Sequence, residues 1–149
     1  MRRYRFIFFF LLFSFIFCNT NEKKTTAKAD INSATEFIRS ALDGKFEQAR
    51  IYLLPDSVNH QYMDAAERSY QKAEPATKTG YREASIRIHQ VTYPVKDSVT
   101  IVIYSNSFKN DHDTLKVVRL NGQWLIDLKH LYEHSMDTVY LDYSDSTGR

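Results

Sequence analysis

One cysteine, Cys18, is all the chain has, so an intrachain disulfide is excluded and the core alone must hold the fold in an oxidising compartment. The glycines at 44, 80, 122 and 148 are too scattered to build a phosphate-cradling loop. There is no G-x-S-x-G turn, and Cys18 belongs to the N-terminal leader, which leaves nucleophilic catalysis without a motif. Basic residues are interleaved with acidic ones, with no stripe to track a phosphate backbone, so nucleic acid is not expected as a partner. Repeats, heptads and low-complexity tracts are missing too.

What is there begins with the leader. Met1-Arg-Arg-Tyr-Arg5 is positive, Phe6 to Phe17 is apolar except for Ser14, and Cys18 follows. The apolar run is short for a bilayer span, and the arginines hold its start on the cytoplasmic side. This arrangement resembles a bacterial lipoprotein signal peptide, with Cys18 as the residue cut at and acylated. Phe17 departs from that pattern, in which a small residue precedes the cysteine. Secretory cleavage after Thr20 or Ala29, or an uncleaved anchor, stays open. The expectation is a protein exported to the bacterial cell envelope, periplasmic or surface-facing, and held to the membrane by a lipid anchor.

Without the leader the charge balance changes sign. Three of the 20 Lys and Arg residues lie before Cys18 and none of the 18 acids do, leaving 17 bases against 18 acids. The basic character of the whole chain is therefore a targeting signal. The expected organisation is a signal peptide over 1–18, a flexible tether over 19–29, one domain over 30–132 and a tail over 133–149. In that tail, Thr138 to Tyr143 reads as an edge strand or a loose end.

Within the domain, Ser33-Ala-Thr-Glu36 has capping-box spacing, and Ala34, Phe37, Ile38, Ala41 and Leu42 form the apolar stripe of a first helix that Gly44 ends. A second is expected over Lys45–Leu54, stopped by Pro55. A third, capped by Asp56 or Ser57, runs to about Lys72 with Val58, Tyr62, Ala65, Ala66 and Ser69 on one side. Glu74-Pro75 and Thr79-Gly80 read as the close of the helical half.

From Tyr81 the period becomes two. Arg82–Tyr93, Ser98–Ser107, Asp113–Leu120 and Gln123–Lys129 read as strands, with a bulge near His89 and Gln90. Asn121-Gly122 predicts a type I′ hairpin, which sets Arg119 against Trp124 and Lys116 against Asp127. Leu115, Val117, Trp124, Ile126 and Leu128 then share the core face, and Val99, Ile101 and Ile103 are expected to join them. Val118, Leu120 and Leu125 fall on the outer face, where a homodimer contact is expected.

Helices followed by antiparallel strands predict an α+β fold, N-terminal helices packed on a curved, mostly antiparallel four-stranded sheet. From Ile31 to Leu131 the chain resembles small secreted lipoproteins of the nuclear-transport-factor-2-like superfamily. The residues carrying this are Ala34 and Phe37-Ile38, Gly44 to Arg50, and Val117-Val-Arg-Leu-Asn-Gly-Gln-Trp-Leu-Ile-Asp127. The resemblance implies a cone-like fold whose open end often forms a pocket. Enzymatic members, isomerase- or cyclase-like, place a carboxylate and a Tyr or His there; no motif carries such a residue over to this chain.

Candidate pocket residues are Tyr62, Asp64, His89, Tyr104 and Trp124. Asp64 and His89 would serve as a base if apolar walls moved their pKa towards neutrality, and otherwise read as a solvated carboxylate and a polar edge histidine. Trp124 reads as a core anchor, with a rim contact to Arg119 open to it. His130 and His134 have chelate spacing only if helical, and His112 sits in a polar Asn110-Asp-His-Asp113 turn, so no metal or other cofactor is expected. The favoured function is a non-catalytic, envelope-anchored domain binding a small hydrophobic ligand or an envelope protein. The alternative is an isomerase- or cyclase-like enzyme with a pocket carboxylate or His.

Overall fold

The computed structural model describes residues 22–131, with side chains from residue 29 onward. Cys18, His134 and the expected edge strand Thr138–Tyr143 lie outside them. Four helices precede four strands: α1 (Glu22–Leu42), α2 (Phe46–Arg50), α3 (Ser57–Lys72), α4 (Pro75–Glu83), β1 (Ile86–Val95), β2 (Val99–Asn106), β3 (His112–Leu120) and β4 (Gln123–Asp127). The strands form one open antiparallel sheet in the order β1-β2-β3-β4, so the fold is α+β.

The helix ends follow local chemistry. Gly44, at φ 74°, closes α1 in a Schellman motif: its N–H donates to the Ala41 carbonyl at 3.0 Å and the Lys45 N–H to the Ser40 carbonyl at 2.8 Å. Asp56 caps α3, its Oδ1 accepting from the Val58 and Asn59 N–H groups at 3.0 and 2.9 Å. Ser33 caps nothing. It lies inside α1, which starts at Glu22 and takes in most of the stretch expected as a tether. No Gly or Pro interrupts residues 22–33, so the backbone has no reason to stop there.

Two further expectations are corrected. The second helix is one short turn-and-a-half, because Tyr52–Leu54 leaves it to pair along the edge of β4. The Leu54 N–H donates to the Ile126 carbonyl at 2.9 Å, and the Ile126 N–H to the Tyr52 carbonyl at 2.8 Å. The segment around Pro75 and Gly80 is a helix, α4, and not a terminator. Pro75 sits at its first turn, where its missing N–H costs nothing.

In the sheet, the Asn121-Gly122 turn has positive φ at both positions, 51° and 83°, and the pairs Arg119–Trp124 and Lys116–Asp127 form as expected. The bulge on β1 falls between Ile88 and Gln90, leaving His89 outside the ladder. Strand β2 is turned the other way from expectation. Thr100 pairs with Val117 and Val102 with Leu115, so Thr100, Val102 and Tyr104 are buried on the core face. Val99, Ile101 and Ile103 lie on the outer face, half-buried. The outward set Val99, Ile101 and Ile103 is more apolar than the buried Thr100, Val102 and Tyr104, so hydropathy alone points to the wrong face.

One buried cluster joins Ala34, Phe37 and Ile38 of α1, Phe46 and Ala49 of α2 and Met63 of α3 to Val102, Tyr104, Leu115, Val117, Trp124, Ile126 and Leu128. Each large side chain so buried contributes about 1.5–3 kcal/mol. A buried polar contact crosses the same interface, the Thr100 hydroxyl donating to Asp30 Oδ2 at 2.5 Å. Among the described residues no helix is long and apolar enough to cross a membrane.

Candidate functional site

A cleft opens among the helices. A cleft of about 540 Å³ is walled by Ala41 and Leu42 at the end of α1, Phe46 of α2, Ala65, Ala66, Ser69 and Tyr70 of α3, Ala73 between α3 and α4, and Thr77 and Tyr81 of α4. Its cause is residue size. Where α3 faces its neighbours it offers Ala65, Ala66 and Ser69, too small to fill the gap that a Leu-rich face would close. Alanine is also the best helix former, so the wall stays helical without filling the space.

Aromatic rings line one side. Phe46 and Tyr70 meet edge to face with centroids 5.5 Å apart, Tyr70 and Tyr81 stand 6.3 Å apart, and Tyr81 meets Phe108 at 5.1 Å. Two glycines let these rings approach. A Cβ on Gly44 would sit 2.6 Å from Tyr70 Cε1, and one on Gly80 would clash with Phe108 Cε2.

Arg39 holds the α4 wall in place. Its Nη1 donates to the Ala84 carbonyl at 2.7 Å, its Nη2 to the Tyr81 and Arg82 carbonyls at 3.1 and 3.2 Å, and its Nε lies 2.8 Å from Asp43 Oδ1. A cation is thus set on the last carbonyls of α4, where the helix dipole favours it. Asp43, hydrogen-bonded by Lys45 and paired with Arg39, is held below the ordinary carboxylate range.

None of the five candidate pocket residues lines this cleft. Tyr62 is half-buried against the core and Tyr104 is buried within it. Trp124 is buried on the core face, with the Arg119 guanidinium 5.8 Å from its ring centroid. Asp64 is half-exposed and pairs with Arg50 Nη2 at 2.9 Å, a cation it shares with Glu67 at 2.7 Å. His89 is exposed on the bulge, with its Nε2 2.8 Å from Ser105 Oγ. Tyr62, Tyr104 and Trp124 thus belong to the core cluster, while Asp64 and His89 lie outside it.

Among the described residues Asp30 and Asp127 are buried acids, each enclosed by its own partners, and Asp113 is half-buried. Asp30 accepts from Thr100 and from the Ile31 N–H at 2.8 Å. Asp127 lies 3.4 Å from Lys116 Nζ and 3.6 Å from Lys129 Nζ. Asp113, opposite Tyr104 on β3, is raised above the ordinary range by burial, with Asp111 adding to the effect. None of the three borders the cleft. Among the described residues no group of three or more His, Cys, Asp and Glu stands together as a metal site.

The sequence carried one usable signal for this site. Ala65, Ala66 and Ser69 on one side of α3 mark a helix face with room beside it. What was missing was α4, without which the cleft has no second wall. No family model, curated protein or solved structure matches the chain.

Proposed function

We propose that this protein is a non-catalytic binding domain of the cone-shaped α+β type that its sequence resembles, tethered through Cys18 to the bacterial envelope and taking a small apolar ligand in the helical cleft. The lining carries the reading. It is apolar and aromatic, with hydroxyls from Ser69, Tyr70, Thr77 and Tyr81, and it holds no carboxylate, imidazole or amine. Its volume lies in the range of small-molecule sites, and its few hydroxyls suffice to orient a ligand with one polar end. A general base working near neutrality would be a carboxylate, imidazole or amine facing the ligand, which this lining does not supply. The placement of Cys18 directly after the apolar run supports the tether.

The test is titration of the full chain with an uncharged naphthyl fluorophore that brightens in apolar surroundings. Micromolar binding is expected, weakened roughly tenfold by Ala65→Phe, which fills the exposed lip of the cleft, and unchanged by Ala65→Ser. Equal binding in all three proteins would overturn the assignment.

A further inference from the structure

A second site stands on the outer face of the sheet, built by the β1 bulge. Ser105 of β2 pairs with Arg87 of β1 and with His112 of β3, so the side chains of all three point to that face. His89 is the extra residue of the bulge, which re-aims it out of the alternation and over Ser105. The two imidazoles therefore meet above the middle strand. Their centroids are 4.2 Å apart with planes inclined by 37°, and Ser105 beneath them is buried to 3% exposure.

We propose that His89 and His112 form a two-imidazole site for a tetragonal divalent transition ion, Cu(II) above all. Three features of the geometry support this. First, two rings bound at right angles through nitrogens about 2.0 Å from a metal have centroids about 4.4 Å apart, whereas tetrahedral binding spreads them to about 5 Å. The observed spacing lets one ion take a nitrogen from each ring, and among first-row divalent ions Cu(II) binds such nitrogen sites most tightly. Second, His89 Nε2 stands 2.8 Å from Ser105 Oγ. Donating its N–H there fixes the tautomer and leaves the Nδ1 lone pair for the ion, as outer partners of metal-bound histidines do.

Third, neither ring is engaged by a carboxylate among the described residues, so no ion pair must break before a metal enters. With two protein ligands the other equatorial positions fall to water, and the affinity will be modest.

The experiment is a Cu(II) titration of the full chain, with glycine present as a competing chelator, read by electron paramagnetic resonance. One equivalent of a tetragonal site with two imidazole nitrogens is expected. His89→Gln and His112→Gln should each weaken it by roughly tenfold or more and reduce the nitrogen count to one. Ser105→Ala should weaken it less while retaining two nitrogens. His130→Ala should leave it unchanged, since His130 and His134 are the rival pair. All variants are compared at matched far-ultraviolet circular dichroism, and the exposed positions of both rings make folded variants the expectation. Loss of the signal with His130→Ala, or its persistence in both Gln variants, would overturn the site.

Discussion

The side-chain carbonyl of Asn59 accepts the backbone N–H of Leu128 at 2.6 Å, which locks α3 to the end of β4. Asn59 is wholly buried and uses its amide as well, donating to Asp56 Oδ2 at 2.7 Å and reaching Asp127 Oδ1 at 3.4 Å. One side chain thus satisfies the point where the sheet stops supplying partners. Asn59→Ala should destabilise the domain by about 2–3 kcal/mol, because a buried N–H is left unpaired. Urea unfolding checks this: the midpoint should fall at constant slope. A loss under ~0.5 kcal/mol would show that the lock is dispensable.

Asp56 gives a pH dependence whose sign is fixed. Its carboxylate accepts from the Asn59 N–H and is bound by Lys129 Nζ at 2.9 Å, which together hold its pKa well below the ordinary aspartate value of about 3.9. A lowered folded-state pKa stabilises the fold above the unfolded value. That contribution is lost as pH falls from about 4 through the folded pKa. Asp56→Asn keeps most of the cap and removes the charge. Its stability should therefore depend less on pH below about 4 than that of the parent; parallel acid limbs would refute the assignment.

Gly80 and Phe108 should be coupled. Ala for Gly in a helix interior ordinarily stabilises by roughly 0.5–1 kcal/mol. Here the new Cβ would meet the Phe108 ring and push it from Tyr81, forfeiting an aromatic contact of about 0.5–1.5 kcal/mol. Gly80→Ala should thus be neutral or destabilising alone and stabilising in a Phe108→Ala background. A double-mutant cycle measures the difference, and equal effects in the two backgrounds would remove the contact from the account.

The tether is tested in the producing cell. Cys18→Ser should move the protein out of the membrane fraction. If it stays there with its leader attached, acylation at Cys18 is not the anchor.

These positions show which parts of the fold were legible and which were not. The Asn121-Gly122 hairpin was, because a two-residue turn with both φ positive admits few other sequences and fixes every pair behind it. Gly44, Asp56 and the bulge at His89 were legible for the same reason: each is local chemistry. The face of β2 was not, because its more apolar side faces outward and Asp30, far away in sequence, hydrogen-bonds the buried Thr100. Helix α4 was missed because Pro75 and Gly80 read as breakers. Pro75 starts the helix, and Gly80 makes room for a ring from the β2–β3 loop. The cleft itself depends on three helices meeting, and hydropathy does not record an unfilled gap.

The most direct test of the account is to locate the apolar probe by nuclear Overhauser contacts in the saturated full chain. The account predicts contacts from probe protons to the Tyr70, Tyr81 and Phe46 rings, with none to Trp124 or His89. Contacts confined to the outer sheet face, or none to the three cleft aromatics, would contradict it.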